Sequence, residues 1–316
     1  MNCLVTGAAG FIGSHLCEEL LNNGHRVVGI DAFTDNYDPA IKRHNLAGFA
    51  SHPGFRLLES DLTFADCWQS VGAVDWLFHL AARPGVRTSW GDDFSVYCEH
   101  NILATQRLLE ACLELQPQKI IFASSSSVYG NARRLPVKET SPVRPISPYG
   151  ATKLAGEHLC RIYWTNHHLP ICMLRYFTVY GPRQRPDMAF SRWIKALLDD
   201  EPIRLFGDGR QMRDFTFVSD AVRATILAAE RGAPGDIYNI AGGAHVSVGD
   251  VLSLLAETTG RTPQVHREAR QKGDARNTWA DTSSARQALG FVPQVTLKEG
   301  LKAQFEAAVF HSSSKR

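Results

Sequence analysis

The sequence predicts an α/β protein with a doubly wound parallel sheet, followed by a second, smaller α/β domain. A short apolar strand at residues 2–6 leads through a glycine-rich loop into an amphipathic helix. Strand-like and helix-like segments then alternate through the first 175 residues, which is the pattern of βαβ units. Beyond Tyr176 the pattern becomes irregular and richer in Arg, Gly and Pro, which favours a separate domain.

The elements of both regions follow from their apolar patterns, taken in chain order. Short apolar runs predict strands at residues 2–6, 26–30, 55–59, 76–80, 119–124 and 171–175. Amphipathic stretches predict helices at residues 14–23, 93–115 and 149–167. Farther along the chain, helices are expected at residues 190–199, 219–231, 248–259 and 297–309.

The boundary between the two domains is expected to cross the chain more than once. The apolar run at residues 237–240 has the composition of a strand that returns to the first sheet. Residues 1–178 and 214–243 are therefore assigned to the first domain, and residues 179–213 and 244–316 to the second. The tail at residues 312–316 is expected to fray.

The composition favours a soluble enzyme and excludes several other classes of protein. The formal net charge is +2, and the charges are dispersed without a basic tract or an RNA-type aromatic motif, so we expect no nucleic-acid partner. The chain enters a strand within two residues and has no run of 18 apolar residues, so we expect a cytoplasmic protein without a membrane segment. The seven cysteines lack a Cys-x-x-Cys pair, which predicts buried free thiols and no metal site.

The glycine loop and the second strand together predict a dinucleotide site. Gly7, Gly10 and Gly13 stand between a strand and a helix, where backbone N–H groups and the helix dipole favour a pyrophosphate. Asp31 ends the second strand 18 residues after Gly13, in the place of an acceptor for the adenosine ribose hydroxyls. No arginine adjoins Asp31 to receive a 2′-phosphate, so NAD is expected and residues 1–178 and 214–243 become a dinucleotide-binding domain.

A phenol and an ammonium lie four residues apart in the segment at residues 147–153. In a helix this spacing places Tyr149 and Lys153 on one face. A nearby cation favours phenolate over phenol, so Lys153 is expected to lower the pKa of Tyr149 from about 10 toward neutrality and make it a general base. Such pairs also occur by accident on helix surfaces, and the neighbouring motifs decide between the two interpretations.

Four hydroxyls end the fifth predicted strand, at Ser124, Ser125, Ser126 and Ser127. An open parallel sheet presents ligand-binding groups at the carboxyl ends of its strands. The alternative is a polar turn whose hydroxyls satisfy local backbone groups. The Tyr149 and Lys153 pair downstream favours the functional interpretation.

These three motifs together resemble the extended short-chain dehydrogenase/reductases of the nucleotide-sugar epimerase group, and the resemblance covers nearly the whole chain. It implies a Rossmann fold, a tightly bound NAD and a UDP-sugar substrate. It also implies that Ser125 bridges to the sugar 4-hydroxyl beside Tyr149, while Lys153 holds the nicotinamide ribose. Positions that match the cofactor-lining residues of the group are Gly7, Gly10, Phe11, Ile12, Gly13, Asp31, Asp61, Leu62, Leu80, Ala81, Ala82, Asn101, Tyr149 and Lys153.

The same resemblance implies a substrate domain and a set of substrate contacts. Arg213 matches the arginine that grips the nucleotide diphosphate, a task that suits its planar fork. The alternative for Arg213 is a salt bridge at the surface or between the domains. Positions that match substrate-binding residues of the group are Arg87, Ser126, Ser127, Thr178, Arg185, Arg192, Arg213 and Asp274.

The residues beside Ser125 indicate the reaction. The sugar dehydratases of this group carry an Asp-Glu pair that resembles positions 126 and 127, and the decarboxylases carry a Glu that matches position 127. Here both are serine, so the resemblance implies oxidation at C4 followed only by return of the hydride, which is epimerisation.

The choice of sugar depends on the segments at residues 83–90 and 178–188, which look most like those of UDP-glucuronate 4-epimerases. There, the positions that match Thr178 and Arg185 hold the substrate carboxylate, because a buried anion needs a paired cation. The alternative is that this Arg-rich turn only joins the domains. UDP-glucose 4-epimerase is the nearest other function, followed by UDP-glucuronate decarboxylase and a non-catalytic NAD-binding regulator.

A homodimer is the expected assembly. The predicted helices at residues 93–115 and 149–167 carry more apolar surface than one sheet layer needs. In the family that the chain resembles, these helices pack against their copies as a four-helix bundle.

Overall fold

A computed structural model describes residues 1–313. Of the tail that was expected to fray, residues 314–316 lie outside the described residues. The first region contains β1 (Asn2–Thr6), α1 (Phe11–Asn22), β2 (Arg26–Asp31), α2 (Pro39–Leu46), β3 (Phe55–Glu59), β4 (Trp76–His79), α3 (Phe94–Tyr97), α4 (Ala104–Leu115), β5 (Lys119–Ser125), α5 (Pro148–His167) and β6 (Ile171–Tyr176).

The rest of the described chain adds short strands between helices. It contains β7 (Val179–Tyr180), α6 (Ala189–Leu198), β8 (Ile203–Phe206), β9 (Met212–Phe217), α7 (Val218–Arg231), β10 (Ile237–Ile240), β11 (Ala244–Ser247), α8 (Val248–Thr259), β12 (Val265–Glu268), α9 (Ser283–Leu289) and α10 (Leu297–Ser313).

The central sheet has seven parallel strands in the order β10-β6-β5-β4-β1-β2-β3. This confirms the predicted doubly wound sheet, and the pairing of β10 with β6 returns the Ile237–Ile240 run to it, as expected. The strand order reverses between β1 and β4. A reversal of this kind opens a crevice at the carboxyl ends of the two strands, which is where such sheets bind ligands.

Two hydrophobic cores cover the two faces of this sheet. Because side chains alternate along a strand, Cys3 and Val5 of β1 pack into one core with α1 and α7, whereas Leu4 packs into the other with α4 and α5. The first turn of α5 is fixed by Ser147, whose Oγ accepts from the Gly150 N–H at 3.1 Å. The sheet that carries Ser125 is therefore packed on both faces, and the start of the helix that carries Tyr149 and Lys153 is fixed by a capping hydrogen bond.

The helix predicted at residues 93–115 is a composite of several helical segments. A 3-10 turn (Gly91–Asp93), α3, a π-helical segment (Cys98–Leu103) and α4 follow one another. The wider π turn brings Asn101 inside, where its side chain bonds to the Arg83 backbone and to Thr152. Apolar periodicity misses this because the internal amide network, and not the helix repeat, decides the local winding.

The second region has its own core and two small sheets, in the orders β11-β9-β7 and β12-β8. The helices expected here form, as α6, α7, α8 and α10, with ends within a few residues of prediction. The sequence analysis missed the strands β7, β8, β9, β11 and β12 and the helices α2 and α9. These elements are short, so their patterns carry too few residues to show a period.

None of the seven cysteines, all of which lie within residues 1–313, forms a disulfide, and all but the half-buried Cys98 are buried. Burial raises the pKa of the Cys3, Cys112 and Cys172 thiols to about 12, so these side chains are neutral. Through residue 313, no three His, Cys, Asp or Glu side chains come together as a metal site would require. Nor does any helix in this range have the length and apolar content that a bilayer crossing needs.

Candidate active site

One cavity of about 430 Å³ opens at the carboxyl ends of the central strands, at the crevice between β1 and β4. It gathers both the predicted cofactor residues and the predicted catalytic residues. The predicted residues that line it are Gly7, Gly10, Phe11, Ile12, Gly13, Asp31, Asp61, Leu62, Leu80, Ala81, Ala82, Ser125, Ser126, Ser127, Tyr149, Lys153, Thr178 and Arg185.

The glycine loop is packed so closely that side chains do not fit. Gly7 has φ +71°, and a Cβ on it would lie 2.8 Å from the Ala81 nitrogen. A Cβ on Gly13 would lie 2.0 Å from the Gly7 carbonyl oxygen. No side chain caps the N-terminus of α1, so the N–H groups of its first turn are available to an anion. The loop therefore fits the pyrophosphate of a dinucleotide.

Asp31 presents a partly satisfied carboxyl group to the same cavity. Its Oδ2 accepts from the Ala9 N–H at 3.0 Å and its Oδ1 from the Phe33 N–H at 2.9 Å. Burial raises the pKa of Asp31, while these hydrogen bonds and the Lys42 ammonium act in the opposite direction. A carboxylate oxygen can accept more than one hydrogen bond, so each oxygen retains capacity for a ribose hydroxyl.

Lys153 lies one turn after Tyr149 on α5, and both side chains line the cavity. The Lys153 Nζ donates to the Ala123 carbonyl at 2.8 Å and lies 5.2 Å from the centre of the Phe122 ring. Burial lowers the pKa of Lys153 to about 8. The ammonium form therefore predominates at pH 7, and a rise in pH of about one unit is enough to deprotonate half of it.

The pKa of Tyr149 corrects one expectation. Burial raises it above the ordinary value for a phenol, and the groups that oppose burial are the Ser125 hydroxyl, through a hydrogen bond, and the Arg185 charge. The prediction that Lys153 lowers this pKa toward neutrality is wrong. The physical reason is that the desolvation of the half-buried Tyr149 phenol outweighs the groups that favour phenolate, while the Lys153 ammonium is directed at the Ala123 carbonyl.

Ser125 ends β5 and begins a 3-10 turn at Ser126–Tyr129. Its Oγ accepts from the Ser127 N–H and donates to the Ser127 Oγ, both at 3.1 Å. Both interpretations of the serine run are therefore correct. The Ser125 and Ser127 hydroxyls form hydrogen bonds within the turn, and the serines of the turn also line the cavity beside Tyr149.

Thr178 and Arg185 reach the cavity from the chain that leaves β6. Arg185 is already paired: its Nε and Nη2 donate to Asp187 Oδ1 and Oδ2 at 2.9 and 2.8 Å. The Arg185 side chain is 18 % exposed and that of Asp187 is 54 % exposed, so the arginine faces inward and its partner outward. An anion in the cavity would therefore bind to a guanidinium that Asp187 holds in a fixed orientation.

The other predicted substrate residues do not line that cavity. They are Asp274 and an arginine cluster of Arg87, Arg192 and Arg213. Arg87 bonds to Asp274 at 2.7 Å and packs 4.3 Å from the centre of the Phe206 ring, with Arg192 5.5 Å from the same ring. Burial lowers the pKa of Arg213, and the charges of neighbouring arginines lower it further. Positive charges that crowd in this way favour a bound anion.

Asn101 does not line the cavity. Its Oδ1 accepts from the Arg83 N–H at 2.6 Å, and its Nδ2 donates to the Arg83 carbonyl and to the Thr152 hydroxyl at 3.0 and 2.9 Å. These bonds hold the Arg83 backbone, which forms part of the cavity wall. Direct contact between Asn101 and a cofactor stays a prediction.

The sequence analysis missed several residues that line the cavity. They are Thr34, Asn36, Tyr37, Lys42 and His100. A signal for the first four existed, because a polar stretch directly follows β2 at the edge where parallel strands present ligand-binding groups. Lys42 turns back to that stretch, with its Nζ 2.7 Å from the Thr34 carbonyl.

Comparisons with known proteins agree with this geometry. The family described as NAD dependent epimerase/dehydratase matches residues 3–241. This chain belongs to that family. The cofactor of the family is NAD, which the glycine loop and Asp31 fit, so the family resemblance, the fold class and the cofactor predicted from the sequence are confirmed.

Three similar proteins illustrate the relationship. An uncharacterised UDP-glucose epimerase of Bacillus subtilis (strain 168) is 49% identical over 305 residues, which is 95% of this chain and 96% of the relative. The UDP-glucuronate 4-epimerase of Thermodesulfobacterium geofontis is 38% identical over 304 residues, which is 95% of this chain and 93% of the relative. The crystal structure of UDP-glucuronic acid 4-epimerase from Bacillus cereus, in complex with UDP-glucuronic acid and NAD, has a TM-score of 0.94 and 45% identity, covering 98% of this chain and 100% of that one.

Proposed function

We propose that this protein interconverts UDP-glucuronate and UDP-galacturonate by inverting C4 of the sugar, with NAD+ bound throughout. One observation carries the proposal: a single cavity joins the glycine loop, the Tyr149 phenol and the inward-facing Arg185 guanidinium. It therefore combines a dinucleotide site, a proton-transfer group and an anchor for a carboxylate. The similar epimerases support the same reaction.

Tyr149 is the proton-transfer group of the proposed reaction. The glycine loop and Asp31 would hold NAD+, which would supply the acceptor for the C4 hydride and the donor for its return. Tyr149 takes the O4 proton, directly or through Ser125, and gives it back after the 4-keto sugar has presented its opposite face. The Lys153 side chain lines the same cavity, where the family resemblance gives it the nicotinamide ribose to hold.

The serines at positions 126 and 127 limit the chemistry to epimerisation. Both line the cavity, and neither can act as the carboxylic acid or carboxylate that the expulsion of water requires. Oxidation at C4 is then followed by return of the hydride and by no further proton shuttle.

Thr178 and Arg185 hold the C6 carboxylate in this proposal. The ketone at C4 lies β to that carboxylate, so the intermediate loses carbon dioxide easily unless the carboxylate charge stays localised and its bond is turned away from the carbonyl. A guanidinium fixed by Asp187 on one side can meet both requirements. The arginine cluster of Arg87, Arg192 and Arg213 would then hold the diphosphate.

UDP-glucose 4-epimerase is the second candidate, and the Arg185–Asp187 pair is the observation that favours it. Asp187 already neutralises much of the Arg185 charge, so the cavity does not require an anionic sugar for electrostatic balance. The Bacillus subtilis relative carries the name of a UDP-glucose epimerase. The two functions differ in the substituent that Arg185 meets.

A side-by-side assay separates these functions. Purified protein is incubated with UDP-glucuronate or with UDP-glucose, and the sugar products are identified by proton NMR. We expect UDP-galacturonate from the first substrate and much slower conversion of the second. Turnover of UDP-glucose alone would replace the proposed substrate, a UDP-pentose product would indicate a decarboxylase, and no turnover of either would overturn the proposal.

A cytoplasmic homodimer is proposed as the working assembly. Leu103, beside α4, and Ile162 of α5 are 41% and 52% exposed, which leaves apolar surface on the two helices that the sequence analysis assigned to the interface. Light scattering at micromolar protein should give twice the chain mass of 35.0 kDa. A mass of one chain would contradict the dimer.

A further inference from the structure

Beneath the catalytic candidates lies a buried ion pair that the proposed reaction does not use. Nε and Nη2 of Arg175 donate to Oε1 and Oε2 of Glu157 at 2.8 and 2.7 Å, and both side chains are at most 5 % exposed. A buried pair of this kind seldom adds stability over apolar residues of similar volume. Its location beside the catalytic groups therefore points to another role.

Glu157 connects three of the groups that build the site. It lies four residues after Lys153 on α5, on the same helix face. Its Oε1 also accepts a 2.5 Å hydrogen bond from Ser124, the residue directly before Ser125. The remaining Nη1 of Arg175 donates to the Tyr129 hydroxyl at 2.8 Å.

We propose that Glu157 is a positioning residue, which holds the end of β5 beneath Ser125 and keeps the Lys153 side chain protonated. The catalytic role of Lys153 rests on the proposed function. The effect of Glu157 on the protonation of Lys153 does not. Arg175 is the counterion that holds the Glu157 carboxylate in place. The hydrogen bond from Ser124 to Glu157 ties the end of β5 to this carboxylate.

The groups that face Lys153 explain why a buried ammonium needs this carboxylate. From β4, His79 is neutral, since burial lowers its pKa to about 3. From α5, Cys160 is also neutral, because burial raises the pKa of its thiol. Tyr149 shares the cavity as a phenol, and β5 offers the Ala123 carbonyl. Cys160 and Glu157 are the two groups on α5 that raise the pKa of Lys153 against the effect of burial, and of these Glu157 carries the charge, because the Cys160 thiol is protonated.

The sign of the effect follows from these charges. Removing the Glu157 carboxylate takes an anion from Lys153 and leaves the Arg175 cation without its partner, so the pKa of Lys153 falls. Removing the Arg175 charge leaves the Glu157 carboxylate unopposed, so the pKa of Lys153 rises. Damage to the fold alone would not move the pKa in opposite directions in the two variants.

The experiment measures Lys153 itself. Protein labelled with [¹³C]lysine is titrated by NMR, as purified and again with added NAD+, and the Lys153 signal is assigned by its loss in Lys153→Met. Glu157→Gln should lower the pKa of Lys153 by about one unit or more, and Arg175→Gln should raise it. Ser124→Ala, which keeps both charges, and Glu114→Gln, which removes an exposed carboxylate on α4, should leave it unchanged.

The result that overturns the proposal is equally direct. A Lys153 pKa that stays within about 0.3 units in Glu157→Gln, or that moves in the same direction in both single variants, removes the electrostatic role. If a single variant does not fold, the double variant Glu157→Gln/Arg175→Gln replaces it. The double variant should still show a lowered pKa, and an unchanged value would also overturn the proposal.

Activity supplies a second measurement. In the holoenzyme, the alkaline limb of the kcat/KM profile for UDP-glucuronate should move to lower pH in Glu157→Gln and keep its position in Glu114→Gln. An unmoved limb would contradict the use of Lys153 charge in catalysis. Because the NMR titration needs no substrate, it separates failure of this inference from failure of the proposed epimerase function.

Discussion

At the scale of single residues, the site depends on a balance between burial and charge at Tyr149. Burial disfavours the phenolate, whereas a hydrogen bond with the Ser125 side chain and the Arg185 cation favour it. Burial prevails, so the pKa of Tyr149 lies above the ordinary value for a phenol. A further positive charge close to the hydroxyl would shift this balance toward phenolate.

Tyr149→Phe should abolish interconversion of the two sugars while leaving NAD binding nearly intact. The change removes the hydroxyl that transfers the proton and keeps the ring that fills the cavity. General acid–base groups contribute about 10² to 10⁴ in rate, so NMR assays of turnover should show at least a hundredfold loss. Activity within about tenfold of the unmodified protein would contradict the assigned base.

Arg185→Ala should weaken turnover of UDP-glucuronate by about ten- to a hundredfold, because hydrogen bonds to charged groups contribute about 1.5 to 3 kcal/mol. UDP-glucose has no carboxylate and should be affected much less. Release of carbon dioxide from UDP-glucuronate should also increase. Ratios of kcat/KM for the two substrates provide the measurement, and Arg185→Lys, which keeps the charge, is the matched control. Equal losses for both substrates would refute the carboxylate assignment.

At the scale of elements, the cofactor site depends on how closely β1, the glycine loop and α1 pack together. The sequence places the glycines where backbone must meet backbone, and the structure shows why larger residues are excluded there. The Gly13 position contacts the Gly7 carbonyl, which belongs to the loop itself. A clash at this point cannot be relieved by rotating a side chain.

Gly13→Ala should therefore displace the loop and lower the affinity for NAD+ by about tenfold or more, as expected from an overpacking cost of about 1 to 3 kcal/mol. Calorimetric titration with NAD+ gives the measurement, and circular dichroism verifies that the protein is folded. Gly48→Ala is the control, because its Cβ would lie 3.6 Å from the nearest atom, Glu18 Oε1, at ordinary contact distance. Wild-type affinity in Gly13→Ala would contradict the loop assignment.

At the scale of the whole molecule, two cores fix the central sheet and a third packs the second region beside it. The chain after β6 carries the substrate candidates Thr178 and Arg185 between them. Its Pro182 carbonyl bonds to His15 Nε2 of α1 at 2.9 Å, which ties this loop to the first helix. The half-buried His15 and the buried His79 couple the stability of the molecule to pH, because burial lowers the pKa of both imidazoles.

His15→Gln should make the protein less sensitive to acid. Burial lowers the pKa of His15 from 6.5 to about 4. Between pH 4 and pH 6.5, His15 is therefore protonated in the unfolded chain and neutral in the folded chain. Stability contributed by His15 is therefore present above about pH 6.5 and is lost as the pH falls toward 4. The free energy of unfolding is measured with urea at pH 7.5 and at pH 5. Between these pH values, the wild type should lose about 2 kcal/mol more of this free energy than the variant does. An equal loss in both proteins would contradict the lowered pKa.

The sequence by itself determined the features that depend on neighbouring residues. Strand and helix periods predicted the parallel sheet, the glycine spacing with Asp31 predicted NAD, and the four-residue spacing placed Tyr149 and Lys153 on one face. Each of these signals lies within a short window of the chain, where local geometry fixes the arrangement.

Only the tertiary structure decided which distant groups meet. It pairs Arg185 with Asp187, places Glu157 and Arg175 beneath the serines, winds a π turn around Asn101 and raises the pKa of Tyr149. Burial and charge at a residue depend on every element packed around it, and those elements come from parts of the chain that no local pattern relates. For this reason the sequence predicted the chemistry, while the fold determined its electrostatic balance.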